Sequence, residues 1–355
     1  MTSAAPEPAG DTGPIMHRAA LLEDAFHDFR ARRARKRGYL ATIIPYTGYG
    51  STSWVRILAR VVLAKDPRPG SRAEKKHLKR EESVRGWRSF TSVHVAHATV
   101  TVDIAGEKHE VRTDRGGVID TRIDVSLNPG WHTITLSLRE SERDFHAPVF
   151  VVAPHTSFGI ISDVDDTVMV TALPRPLLAA WNTFVLNEHA RVPTPGMSVL
   201  LDRLARQGEG TPVVYLSTGA WNVAPTLRRF LSRNLFPPGP LLLTDWGPTH
   251  DRLFRSGIEH KRTNLNRLAA EFPNLKWVLV GDDGQHDENL YAEFVAEHPE
   301  NVAAVVIRQL SHGEAVLAGG RSTIGQRSEF HGVPWIYGPH GARLSEELTR
   351  AGLLH

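Results

Sequence analysis

The chain has 355 residues, and at roughly 150 residues per domain that length accommodates two domains, each with its own core. Its 42 Lys and Arg against 39 Asp and Glu leave a formal charge of +3, too small an excess for a protein built to coat a polyanion, so nucleic acid is not an expected partner. A composition of 41% apolar and 23% charged residues excludes a wholly disordered or collagen-like chain, and the absence of Cys excludes disulfides, a thiolate nucleophile and a zinc–thiolate site. The lack of Cys also favours a reducing compartment. No run reaches the ~20 apolar residues that span a bilayer. The opening MTSAAPEPAGDTGP is polar and rich in Pro and Gly, without the apolar core of a signal peptide. A cytoplasmic location is therefore the expectation.

Residues 1–38 read as a flexible start followed by a basic amphipathic helix. From His17 to Gly38, Leu21, Leu22, Ala25, Phe26 and Phe29 recur at three- and four-residue steps, and Gly38 is a natural stop. Its second half is the basic run RARRARKR. Two readings stand: a helix docked by its apolar face with a solvated basic end, or one lying on an anionic membrane surface. Residues 39–154 change to strand texture. Val55–Leu63, Val93–Ile104, Ile119–Val125 and Trp131–Leu138 are apolar or alternating, with Gly116-Gly117 and Asn128-Pro129-Gly130 as turn punctuation. This predicts an antiparallel, β-sandwich-like accessory domain. Within it, residues 65–88 hold nine basic and four acidic residues and read as an exposed insertion.

Residues 155–355 alternate buried strands with helices. FGIIS ends in Asp163, TPVVYLS ends at Ser217, PLLLTD ends at Asp245, and LKWVLVGDD and VAAVVIRQL follow, with KRTNLNRLAAEF as a helix opened by Lys261. Fully apolar strands separated by helices predict an α/β domain with a doubly wound parallel sheet. Ligands of such sheets gather at the carboxyl ends of strands, where this chain places its polar residues. The end of the chain, SEELTRAGLL, reads as a final helix packed by Leu344 and Leu348.

The sharpest string is Ser162-Asp163-Val164-Asp165-Asp166-Thr167-Val168, directly after a buried strand. Crowded carboxylates raise one another's pKa, and a hard cation such as Mg²⁺ removes that penalty through oxygen ligands. The first carboxylate can attack phosphorus while the next but one, sharing its direction off the strand end, reaches a leaving oxygen as an acid. Taken alone, the string also reads as a calcium-like or merely solvated acidic turn. Three further stations follow in order. Ser217 ends a strand with a hydroxyl suited to a phosphoryl oxygen. Lys261 brings an ammonium, and Gly281-Asp282-Asp283-Gly284-Gln285-His286-Asp287 offers further carboxylates for Mg²⁺. His250, His260 and His286 have no compact metal-site spacing and read as surface or hydrogen-bonding residues.

Together the four stations, over residues 158–310, resemble the haloacid dehalogenase superfamily of phosphotransferases. More narrowly, SDVDDTV, NEHARVPTPGM, YLSTGAWN and GDDGQHDENLY resemble the catalytic domain of the actin-patch phosphatidate phosphatase family. The chain departs from that family in STGAWN, where its members often carry Ser-Pro in place of Gly219-Ala220. The resemblance implies Asp163 as nucleophile, Asp165 as general acid and base, Ser217 and Lys261 as phosphate-side groups, and Mg²⁺ as cofactor. It implies metal ligation by Asp163, the carbonyl of Asp165, Asp282 and Asp283, with Asp283 and Asp287 as alternatives for completing the site or orienting Lys261. Asp165 in place of a Thr implies hydrolysis of a phosphomonoester. Asp166 reads either as a contributor or as a turn residue.

Thr167, Thr218, Gly219, Trp221, Asn222 and Asp287 are the candidate substrate contacts, with core packing the favoured reading of Trp221. Between the first two stations, Pro174–Val192 reads as one helix with Leu177, Leu178, Trp181, Phe184 and Val185 on a stripe, too short for a large cap domain. An open site suits phosphatidate, converted to diacylglycerol, at a membrane surface. It equally admits a sugar or nucleotide phosphate, and a phospholipid-binding protein without catalysis is the remaining alternative.

Overall fold

The computed structural model describes residues 29–65, 93–139, 141, 143–170, 192–244, 250–284, 286–317, 320–322 and 325–355. Outside them lie the expected N-terminal helix before Phe29, the basic segment beyond Lys65, the helix expected between Pro174 and Val192, and Asp245. What is described of the basic run is helical at 29–36, with Arg32, Arg33, Arg35, Lys36 and Arg37 exposed and Ala34 buried.

The first half is all-β, with β1 (Tyr39–Pro45), β2 (Gly48–Ser51), β3 (Trp54–Lys65), β4 (Val93–His94), β5 (Thr99–Ile104), β6 (Glu107–Arg112), β7 (Val118–Asp124), β8 (Gly130–Leu138) and β9 (Asp144–Val152). The described strands hydrogen-bond into one nine-stranded sheet, ordered β1-β3-β2-β9-β8-β5-β6 with β4 and β7 added along β3. All the pairs are antiparallel except β2 with β9. A mostly antiparallel β module is thus present, as one continuous ladder. The expected Val93–Ile104 strand is split, because His97 takes a φ of 56°, a left-handed turn that ends β4 before β5 begins.

The near-continuous apolar run of β3 has a simple cause. Successive side chains of a strand point to opposite faces. Val55, Ile57, Ala59 and Val61 fill the core of the β module, whereas Trp54 and Leu58 face the other half of the molecule. Tyr46, Tyr49, Val118 and Val152 join them there, so six residues of the first half belong to the larger apolar core of the second. One face of β3 is wholly apolar, and the other sets Arg56 and Arg60 among its apolar residues.

The second half is built on a sheet in the order β14-β13-β10-β15-β16-β18-β17, where β10 is Phe158–Asp163, β13 Val213–Ala220, β14 Leu241–Thr244, β15 Lys276–Asp282, β16 Val302–Arg308, β17 Glu329–Phe330 and β18 Val333–Gly338. All its pairs are parallel except the short edge strand β17. A two-residue ladder joins β11 (Met169–Val170) to β12 (Val192–Pro193). The helices are α1 (Met197–Ala205), α2 (Ala224–Arg233), α3 (His250–Glu271), α4 (Asp287–Glu297), α5 (His312–Leu317) and α6 (Gly341–Arg350). Helix α1 packs on α6, and α3 on α4. The α1–α6 contact is made at backbone distance by Gly196 and Gly341, and Leu344 and Leu348 of the expected final helix are fully buried.

Strand order runs outward from β10 to β14 and then restarts on its other side at β15, so β10 and β15 flank a switch point open at their carboxyl ends. Two local expectations change. Lys261 lies in the middle of α3 and does not open it, because the helix continues upstream through Gly257. A Cβ on Gly257 would lie 3.0 Å from Thr218 Cγ2, so glycine lets the helix pass the end of β13. β13 also continues past Ser217 to Ala220.

Gly159 in β10 sits opposite Trp277 of β15, and a Cβ there would fall 2.5 Å from the indole. We expect Gly159→Ala to destabilise the protein by about 1–3 kcal/mol, as overpacking does, seen as a lower denaturant midpoint with an unchanged slope.

Candidate functional site

The site assembles at the carboxyl ends of adjacent strands. Asp163 ends β10, Asp282 ends β15, and Ser217 lies near the end of β13, the other neighbour of β10. The chain turns sharply after β10. Val168 and Met169 N–H both donate to Val164 C=O, and Asp166 takes a φ of 58°. This turn brings Asp165 back over the strand ends, where Ser217 Oγ donates to Asp165 Oδ2 at 3.0 Å. Asp287 enters from the first turn of α4, where the helix N-terminus favours a carboxylate. Gly281 makes room for it: a Cβ there would meet Asp287 Oδ2 at 2.9 Å and Tyr291 at 2.7 Å.

Lys261 reaches in from α3 and ties the stations together. Its Nζ lies 2.6 Å from Asp163 Oδ1 and 2.7 Å from Asp287 Oδ1. All three side chains are nearly inaccessible, so this is a buried ion triad. Burial alone would lower the lysine's pKa. The carboxylates of Asp163 and Asp287 outweigh that effect and hold it above its usual range.

The acids themselves are out of balance. Burial pushes Asp163 well above the usual carboxylate range; Lys261 opposes the shift, and Asp287, Asp165 and Asp282 add to it. Asp282 is pushed the same way by burial and then by Asp287 and Asp166. Burial raises Asp165 to about 6, against the pull of Lys261 and the Ser217 hydrogen bond.

One oxygen from each of Asp163, Asp282 and Asp287 lies within 4.8 Å of the other two, and Asp287 Oδ2 is a buried oxygen without a hydrogen-bond partner among the described residues. One lysine does not neutralise three such carboxylates. An all-oxygen donor set of this kind, carrying surplus negative charge, fits a hard divalent cation.

The other expected residues fall into three groups. Ser217 is buried, but its hydroxyl proton is directed at Asp165 and its oxygen accepts from Gly219 N–H, so it orients the acid and the turn. Thr167 is fully buried with a hydroxyl unpartnered among the described residues, Thr218 is exposed at the strand end, and Asn222 is half-buried. Trp221 is not a pocket wall. It is buried and stacked on Tyr46 at 4.7 Å between centroids.

Asp283 is corrected as well. Its Oδ1 accepts from Leu310 N–H at 2.8 Å and its Oδ2 faces Arg321 at 3.6 Å, so Asp287, not Asp283, joins the cluster. Arg308 was not anticipated. Buried at the end of β16, it donates to the Asp166 carbonyl at 2.6 Å and to Glu314 at 2.6 Å, bracing the turn after β10. A charged residue closing an otherwise apolar strand was its only signal in the sequence.

Residues 158–309 match the family model described as "Phosphatidate phosphatase APP1, catalytic domain". The chain is 25% identical over 240 residues to phosphatidate phosphatase APP1 of Saccharomyces cerevisiae, covering 63% of this chain and 40% of that protein. It is 29% identical over 168 residues to an uncharacterized protein of Schizosaccharomyces pombe, covering 45% of this chain and 26% of that one. The chain thus resembles the APP1 family and spans less than half the length of these relatives. A carbohydrate acetylesterase from Xanthomonas citri aligns over 73% of this chain and 75% of its own at 8% identity, with a TM-score of only 0.22.

Cation binding at this cluster has a readout independent of turnover. We expect millimolar Mg²⁺ to raise the denaturation midpoint, by about 2.7 kcal/mol of stability at a hundredfold excess over Kd. Asp282→Asn combined with Asp287→Asn is expected to remove that increment. A wild-type midpoint indifferent to Mg²⁺, Mn²⁺ and Ca²⁺ would dismiss the metal.

Proposed function

We propose that the chain is a Mg²⁺-dependent phosphomonoester hydrolase of the haloacid dehalogenase superfamily, working through an aspartyl-phosphate, with phosphatidate as substrate and diacylglycerol as product. The observation that carries this reading is Lys261 bridging Asp163 and Asp287 beside Asp165 and Asp282. The substrate class is supported by the APP1 catalytic-domain match and by the name of the yeast relative.

Asp163 attacks phosphorus, and the bond from phosphorus to the ester oxygen breaks. Asp165, positioned by Ser217, gives its proton to the departing alkoxide. Asp165 then takes a proton from water, whose oxygen attacks the aspartyl-phosphate to release inorganic phosphate and restore Asp163. Lys261 orients Asp163 and offsets the charge of the phosphoryl oxygens. Asp163, Asp282, Asp287 and the carbonyl of Asp165 would hold Mg²⁺, and its charge would shield the phosphoryl group from the carboxylates.

A lipid substrate calls for work at a membrane surface, and the exposed cations at 32–37 suit one, each worth about 1 kcal/mol near anionic lipid. Among the described residues no helix is long and apolar enough to cross a membrane.

Purified protein with Mg²⁺ is expected to release phosphate from phosphatidate in mixed micelles. Asp165→Asn should lower kcat by about 10²- to 10⁴-fold and Asp163→Asn should abolish turnover. Turnover of sugar or nucleotide phosphates without phosphatidate would sink the lipid assignment, and no release from any ester would favour a non-catalytic phospholipid binder. Separately, changing Arg32, Arg33, Arg35, Lys36 and Arg37 to Gln is expected to weaken co-sedimentation with phosphatidate-containing vesicles. Undiminished binding rejects the membrane role for this segment.

A further inference from the structure

The seam between the two halves does more than bury apolar area. Tyr46, just past β1, stacks on Trp221, and its hydroxyl donates to the Trp221 carbonyl at 3.0 Å. Trp221 follows β13 directly and stands four residues after Ser217, so this contact anchors the segment that holds Asp165.

A second attachment lies along α3. Tyr49 donates to Glu271 Oε2 at 2.8 Å, and Arg56 Nε donates to Glu271 Oε1 at 3.0 Å. Arg56 also pairs with Asp120 at 2.7 Å, and Asp120 pairs in turn with Arg267 at 2.7 Å. Glu271 is the last residue of α3 and Arg267 lies one turn earlier, on the helix that presents Lys261. Ten residues separate Lys261 from Glu271, about 15 Å along the axis.

Aromatic packing surrounds the second attachment, where Phe272 directly follows Glu271. Trp54 and Phe272 lie 5.3 Å apart, and Phe272 and Trp277 6.0 Å. Apolar packing of that kind would hold the halves together without charge. Buried ion pairs add little net stability over well-packed apolar residues, and in some proteins they fix geometry in direction and register. In this seam the side chains of Arg56 and Glu271 are only 13% and 8% exposed, and the pairs they form fall on the one helix whose axial position sets the reach of a site lysine.

We propose that the β-rich half is a positioning element of the active site. Tyr46 places the 217–221 segment through Trp221. Arg56, with Tyr49, fixes the axial position of α3 and so the approach of Lys261 to Asp163 and Asp287. The proposal deepens the phosphatase reading and rests on it wherever turnover is the readout.

The test uses the full chain carrying Tyr46→Ala, Tyr46→Phe, Arg56→Met or Arg56→Lys, with Lys108→Ala on β6 as a surface control. Turnover is measured on p-nitrophenyl phosphate with Mg²⁺, and backbone hydrogen exchange without added metal. Tyr46→Ala and Arg56→Met are expected to lower kcat about tenfold or more while KM stays within about twofold, since small displacements at a reacting centre are costly. Arg56→Lys should recover part of the loss. Exchange should rise in residues 217–223 for Tyr46→Ala and in the last turns of α3 for Arg56→Met, with β5 and β6 unchanged.

Should Tyr46→Ala fail to fold, Tyr46→Phe keeps the stacking and loses only the hydrogen bond. Its smaller kcat loss and local exchange then decide the matter. Wild-type kcat and exchange in these variants, or exchange rising uniformly over the whole second half, would overturn the proposal. If the wild type releases no phosphate from any ester, the phosphatase reading falls and the exchange pattern alone decides the positioning role.

Discussion

Three carboxylates and one ammonium, all withdrawn from water at the mouth of a parallel sheet, set the terms for the second half of this molecule. A buried charge costs several kcal/mol unless it is paired, and Lys261 pairs with two of the three at once. The arrangement is tolerable only if backbone and helix place these groups to within a fraction of an ångström. Much of the surrounding structure serves that placement: glycine at position 281 admits Asp287, the left-handed turn at Asp166 returns Asp165 to Ser217, and Arg308 braces that turn. The surplus negative charge that remains suits the cluster to a divalent cation.

The same placement reaches across the molecule. β3 contributes apolar residues to two cores, one within the β module and one shared with the α/β half. From that shared face come the contacts to Trp221 and to the end of α3. The halves differ in architecture but are continuous in packing, and the elements that carry Ser217 and Lys261 are each held from both sides. An accessory module joined in this way constrains the geometry of the chemistry, whatever else it does at a surface.

Local chemistry was legible in the residues themselves. The buried strands announced themselves by apolar runs, and the acids closing two of them marked the carboxyl edge of the sheet. A helix-period stripe gave the last helix, with Leu344 and Leu348 fully buried as its spacing requires. The parallel sheet followed from apolar strands alternating with helices, because a strand buried on both faces has no polar side to show. The strand VPWIYG was missed, its Pro and short length hiding a parallel partner of β16.

What a chain cannot display in one dimension is direction. Asp283 and Asp287 looked interchangeable, and only the turn into α4 sends one to the lysine and the other to Leu310 and Arg321. Ser217 was expected to face phosphate, and the return of the Asp163–Asp166 turn directs its proton to Asp165. Trp221 read as core packing ahead of pocket wall, but which residue it packs on, Tyr46 175 residues away, had no sign in the sequence. Composition, periodicity and motif order are properties of neighbours along the backbone, so the sequence by itself determined that a parallel sheet forms and that acids crowd at the carboxyl ends of two of its strands. Which of several like groups meet depends on contacts between distant segments, and that was settled only by tertiary packing.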